Sequence, residues 1–114
     1  MANDNYINRT DFTPKSYAES STTDISASET YGCCWLVGVY YTKPSATPFT
    51  IVATLTSGEV VTLLSVGTGV TNGYESMGNT PIPEGTTLAV VSTGGVSGSK
   101  NITLLFLPNR GQPA

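Results

Sequence analysis

The sequence predicts an all-β protein, a small antiparallel β-sandwich or jelly-roll-like barrel with an extended N-terminal arm. Three observations point there. Apolar residues fall in short runs that alternate or are continuously β-branched and aromatic, and no segment repeats them at helical spacing. Clusters of Gly, Pro, Ser and Asn separate those runs. Charge is divided unevenly: Asp4, Arg9, Asp11, Lys15, Glu19, Asp24 and Glu29 precede Tyr31, whereas only Lys43, Glu59, Glu75, Glu84, Lys100 and Arg110 lie between Gly32 and Ala114.

The division of charge sets the domain organisation: residues 1–30 as an arm, residues 31–114 as one β-domain with a short C-terminal tail. The arm is rich in Asn, Ser and Thr and poor in aliphatics. Such a segment buries too little apolar surface to offset its ordering entropy, so alone it is expected to be extended or disordered. Thr22 to Ser28 is a candidate edge strand within it, with Ile25 as its only aliphatic residue. The apolar side chains Tyr6, Ile7, Phe12, Tyr17 and Ile25 are the candidate partner-binding residues of the arm.

In the body, Cys34 to Tyr41 reads as a strand that ends at Lys43-Pro44, where proline removes a ladder donor. Phe49 to Leu55 alternates, with Phe49, Ile51, Ala53 and Leu55 on one face and Thr50, Val52 and Thr54 on the other. Ser57-Gly58 separates it from Glu59 to Val66, which predicts a hairpin with Gly58 at positive φ. Gly67 to Gly73 is a turn-rich connection, Tyr74 to Met77 a short strand, and Asn79 to Gly85 a loop containing two prolines. Thr86 to Ser92 and Asn101 to Leu107 are two further strands, joined by the glycine-serine tip Thr93 to Lys100, and Pro108 ends the last. Strand alternation places Trp35, Val37 and Val39, with Ile51 and Leu55, in the core. Leu63-Leu64 and Leu104 to Leu107 are apolar on both faces, so the second face is expected to be covered by another copy of the chain or by the folded-back arm.

At 114 residues the chain fits one domain, and the roughly 80 residues after the arm form a small, marginal core. A net charge of −3 with scattered Lys and Arg favours neither a nucleic acid nor an anionic membrane. No basic n-region followed by an apolar stretch is present, and no 18-residue apolar run, so the expectation is synthesis in a cytosol without export. Cys33 and Cys34 are adjacent, too close for an unstrained bridge, and are expected to be thiols with at least one in the core. The absence of histidine removes the common general base and metal ligand, so neither a His-based triad nor a zinc site is available. Glu59 and Glu84 lie in turns, where carboxylates are solvated, so the expectation is no enzyme, no catalytic residue, no metal and no cofactor. The glycine run at Gly67 to Gly73 lacks the Gly-Lys-Ser/Thr ending of a phosphate loop. Asn8-Arg9-Thr10 and Asn101-Ile102-Thr103 match the glycosylation tripeptide, but without a secretory signal they are set aside.

Trp35, Tyr40, Tyr41 and Tyr74, among many hydroxyl and amide side chains, raise the alternative of a sugar-stacking platform and hence of a carbohydrate-binding tail or fibre module that recognises a host glycan. Against it, Tyr40 and Tyr41 point to opposite faces of one strand, and a Trp within an apolar strand is more often core.

The polar arm from Met1 to Thr30, the lack of histidine, the weakly charged β-body, the long Gly/Ser/Thr turns and the stretch Ile82-Pro-Glu-Gly-Thr-Thr-Leu88 together resemble small structural proteins of tailed bacteriophages, especially capsid decoration or cement proteins. The resemblance is one of style across the whole chain and supplies no motif, so no binding residue carries over. It implies a virion protein on the outer capsid surface, often a homotrimer, that binds the major capsid protein and ties capsomers together.

Overall fold

The computed structural model describes residues 12–108. Eight strands, β1 (Thr13–Glu19), β2 (Ser26–Tyr31), β3 (Cys34–Thr42), β4 (Phe49–Thr54), β5 (Val60–Val66), β6 (Asn72–Ile82), β7 (Thr86–Ser92) and β8 (Lys100–Pro108), follow one another. They form two four-stranded sheets with orders β1-β8-β3-β6 and β2-β7-β4-β5, every pairing antiparallel. The sheets pack as a sandwich around Leu36, Val39, Ile51, Val90 and Leu104, each 0% exposed. The all-β sandwich expected from the sequence is the fold observed.

The β4–β5 hairpin forms as the alternation requires. Gly58 closes it at φ 95°, and Phe49, Ile51 and Ala53 are buried while Thr54 is exposed. Leu55, just beyond the strand, is only half-buried.

Trp35 and Val37 are not core residues. Between Leu36 and Gly38 the register of β3 shifts against both of its neighbours, and against β8 Val37 is the extra residue. One extra residue inverts the phase of everything beyond it. Leu36 therefore points inward before the bulge and Val39 and Tyr41 after it, leaving Trp35 and Val37 half-buried.

The loop expected over Asn79–Gly85 is strand as far as Ile82. Gly78 (φ 60°) and Asn79 (φ 58°) sit in the left-handed region, and the chain resumes pairing with β3 at Thr80. Pro81 is tolerated because β6 is the edge of its sheet, where a missing donor faces no neighbour. Consecutive β7 and β8 lie in opposite sheets, so the glycine-serine tip bridges the layers.

Within the arm expected over residues 1–30, the described part holds the strand Thr13–Glu19 and, after a turn, most of the strand Ser26–Tyr31. β1 is the edge of one sheet and β2 the edge of the other, on the same side of the sandwich. The expected edge strand at Thr22–Ser28 is observed at Ser26–Tyr31. An edge strand needs backbone pairing on one side and only a few inward side chains, which this polar segment supplies. Ile25 is 2% exposed in the core and its N–H donates to Ser92 Oγ (2.7 Å). Tyr31 packs on Phe106 with centroids 4.7 Å apart.

Two lysines that look like scattered surface charges are buried. Lys100 Nζ donates to the carbonyls of Ser21 and Thr23 (2.9 Å each) and of Gly98 (3.4 Å), at 1% residue exposure. Lys43 Nζ donates to Val70 O (2.6 Å) and Gly67 O (3.1 Å), and burial pushes its ammonium below the ordinary lysine value. Each lysine thus pins a loop, Lys100 the β1–β2 crossing and Lys43 the β5–β6 crossing. Lys100→Met keeps the aliphatic stem and leaves those carbonyls unsatisfied, which should destabilise by about 1–3 kcal/mol. A thermal melt equal to that of an exposed control such as Glu84→Gln would show that the cage contributes nothing.

Candidate binding surfaces

At the β1/β2 side, inward-facing residues of the two edges meet across the seam between the sheets. Tyr17 Oη donates to Glu29 Oε1 (2.8 Å) and lies 2.8 Å from Tyr31 Oη, while Lys15 Nζ is 3.4 Å from Glu29. The hydrogen bond from Tyr17, helped by the Lys15 charge, holds the Glu29 carboxyl below its usual range. Burial, with the neighbouring Tyr31 and Glu29, pushes the Tyr17 phenol up. Of the candidate partner-binding residues, Tyr17 makes these hydrogen bonds within the chain and Ile25 lies in the core. Phe12 is half-buried at the start of the described segment. Tyr6 and Ile7 lie outside the described residues.

The outer face of the β1-β8-β3-β6 sheet is different. Alternation turns Tyr40 and Thr42 outward from β3, between buried Val39, Tyr41 and Lys43. Register aligns Ser16, Thr103, Tyr40 and Tyr74 as one row across the four strands, with Ala18, Asn101, Thr42 and Asn72 as the next. Tyr40 is 53% and Tyr74 43% exposed, their centroids 4.6 Å apart and their planes at 45°. Gly38 makes room for this pair, because a Cβ there would run into the ring and hydroxyl of Tyr74. Tyr74 therefore lies down over the β3 backbone, covering Gly38 and presenting its other side. The two rings and the neighbouring Thr42, Asn72, Asn101 and Thr103 line an open groove of about 540 Å³. Among the described residues, no outward position on the strands of this sheet carries a charge. Towards the other end the same face is apolar, with Trp35, Leu105 and Leu107 half-buried.

Of the four aromatics considered for a platform, register brings Tyr40 and Tyr74 together. Tyr41 is buried with its hydroxyl over Gly73, and these two residues also line the groove, whereas Trp35 is displaced along the sheet.

The opposite side of the sandwich ends in β5 and β6. β6 has Glu75, Pro81 and a left-handed irregularity at Gly78-Asn79, features that discourage further strand pairing. β1 has Pro14 and Lys15, and β2 has Glu29. β5 (Val-Val-Thr-Leu-Leu-Ser-Val) has no charge, proline or glycine, and exposes Val60 (63%) and Val61 (38%). Its one irregularity is a bulge at Leu63 against β4.

Among the described residues, carboxylates and thiols do not gather into a metal-binding group. Glu59 and Glu84 are exposed in turns, Glu75 is half-buried on β6, and no three acidic or thiol side chains gather among the described residues. Cys33 is exposed; Cys34 is half-buried against the core, and burial pushes its thiol up. Comparison of the chain with protein-family models, with curated proteins and with solved structures finds no match.

Proposed function

We propose that this chain is a non-enzymatic structural protein of a viral particle, a decoration protein that binds the outer capsid surface and stabilises contacts between capsomers. Its partners in this reading are the major capsid protein and copies of itself, as a homotrimer. The observation that carries the reading is the β5 edge, among the described residues the one edge without a charge, proline or glycine, with exposed valines beside open backbone groups. Such an edge accepts a further strand by main-chain hydrogen bonds whatever the partner's side chains are. The resemblance in sequence style supplies the viral setting, and the sparse charge of the body suits burial against protein.

Replacing the outward, exposed pair Val60 and Thr62 together by Lys should leave the melting temperature nearly unchanged while reducing both oligomerisation and co-sedimentation with assembled particles. Unchanged particle stoichiometry in that variant would exclude β5 as the attachment element. A second variant lacking residues 1–11, and so Tyr6 and Ile7, keeps both N-terminal edge strands and tests whether that segment adds to attachment.

A further inference from the structure

We infer that the groove formed by Tyr40 and Tyr74 on the outer sheet face is a binding site for a neutral saccharide. The site goes beyond the proposed attachment through β5 and lies on a different surface.

A pyranose has a C–H face that stacks on an aromatic ring and a rim of hydroxyls that both donate and accept hydrogen bonds. Tyr74 supplies a ring seated over Gly38, and Tyr40, tilted 45° to it, adds a second aromatic surface from the adjacent strand. Asn101 supplies directed donors: Thr103 Oγ1 donates to Asn101 Oδ1 (3.0 Å), and Ser16 Oγ lies 2.8 Å behind Thr103 Oγ1. With the Thr103 proton committed to Asn101, Ser16 donates to Thr103, and the relay runs Ser16 to Thr103 to Asn101. The Asn101 amide is thereby oriented with its NH2 without a partner among the described residues. Thr42 and Asn72 are likewise uncommitted among those residues and border the rings. A volume of about 540 Å³ lies within the range of small-ligand sites, about 300–1,000 Å³.

Charge decides the class of ligand. Among the described residues, no cation faces outward from this sheet to form an ion pair with a phosphate or carboxylate, and the lysines nearest in sequence, Lys43 and Lys100, are buried in carbonyl cages. A nucleotide or acidic sugar is therefore disfavoured. A proline-rich peptide docks between separated aromatic ridges, whereas rings 4.6 Å apart form a single platform.

The test is titration of the full-length chain, followed by two-dimensional amide NMR, with a panel of neutral mono- and disaccharides, a nucleoside and a proline-rich peptide. At least one saccharide should shift resonances at Tyr40, Asn72, Tyr74 and Asn101, with an affinity in the millimolar range for one sugar unit. Tyr74→Ala should weaken that binding about tenfold. Asn101→Ala, an exposed change that leaves the rings in place, should weaken it several-fold with an unaltered melt, so the test does not depend on the tyrosine variant folding well. Absence of shifts with every saccharide, a response only to the nucleoside or peptide, or saccharide binding untouched by both variants would each overturn the inference. Particle attachment is measured separately with the β5 variant, so failure here leaves that reading standing.

Discussion

A chain lacking residues 1–31 should not fold to a cooperative domain. The deletion strips one edge strand from each sheet and so exposes the backbone of β8 and β7, both apolar strands with no charge on the newly opened flank beyond Lys100. It removes Ile25 from the core, Tyr31 from Phe106, and two of the three carbonyls that hold the buried Lys100 ammonium. The lysine then keeps only the Gly98 carbonyl, and the link that ties the β1–β2 crossing to β8 is lost. The expected result is aggregation or a species that binds hydrophobic dyes and lacks a sharp melt, whereas removal of residues 1–11 alone retains every interaction just named. A cooperative melt within a few degrees of the full chain after the larger deletion would mean that β3 to β8 form an autonomous core.

Why the sequence suggests an arm where the fold has two strands is a matter of averaging. Residues 13–31 have few aliphatics, and the composition argument treats such a segment as unable to fold alone, which is sound for an isolated segment. Paired to β8 and β7, each strand needs only one flank of backbone bonds and the inward side chains Tyr17, Ile25 and Tyr31. Aromatic residues spaced among Ser, Thr and Glu do not register as a hydrophobic run. Where a strand lies mid-sheet or in a tight hairpin the local pattern suffices, and β4, β5, β7 and β8 were legible for that reason. β6 was legible only at Tyr74 to Met77, because Pro81 normally argues against a strand and nothing local reveals that β6 is an edge.

The groove was half legible. Tyr40 and Tyr74 are 34 positions apart, and only the β3–β6 register places them side by side. The one local signal was Gly38 in the middle of an apolar strand. A glycine there often marks the close approach of another group, in this case the Tyr74 ring. Lys43 and Lys100 gave no signal, since a lysine at a strand end reads as solvated unless the loop that supplies the carbonyls is known.

The bulge in β3 is open to a direct mutational reading. If Val37 is the extra residue, Leu36 belongs to the core and its neighbours on either side do not, opposite to what strict alternation through Trp35, Val37 and Val39 requires. Leu36 is 0% exposed, whereas Val37 is half-buried. Leu36→Ala should therefore cost about 2–5 kcal/mol, the range for deleting a fully buried leucine side chain. In a domain of this size each kcal/mol lowers the melting temperature by about 4–8 °C, so the drop should be at least about 8 °C. Val37→Ala removes less volume from a half-covered site where partial collapse and solvent limit the loss, and should cost about 1 kcal/mol or less. Both substitutions shorten a side chain on the same strand one residue apart, so differences in strand propensity between them are small against the expected gap. Equal losses, or a larger loss at Val37, would place the phase of β3 back in simple alternation and remove the bulge from the account of how Tyr40 comes to face outward.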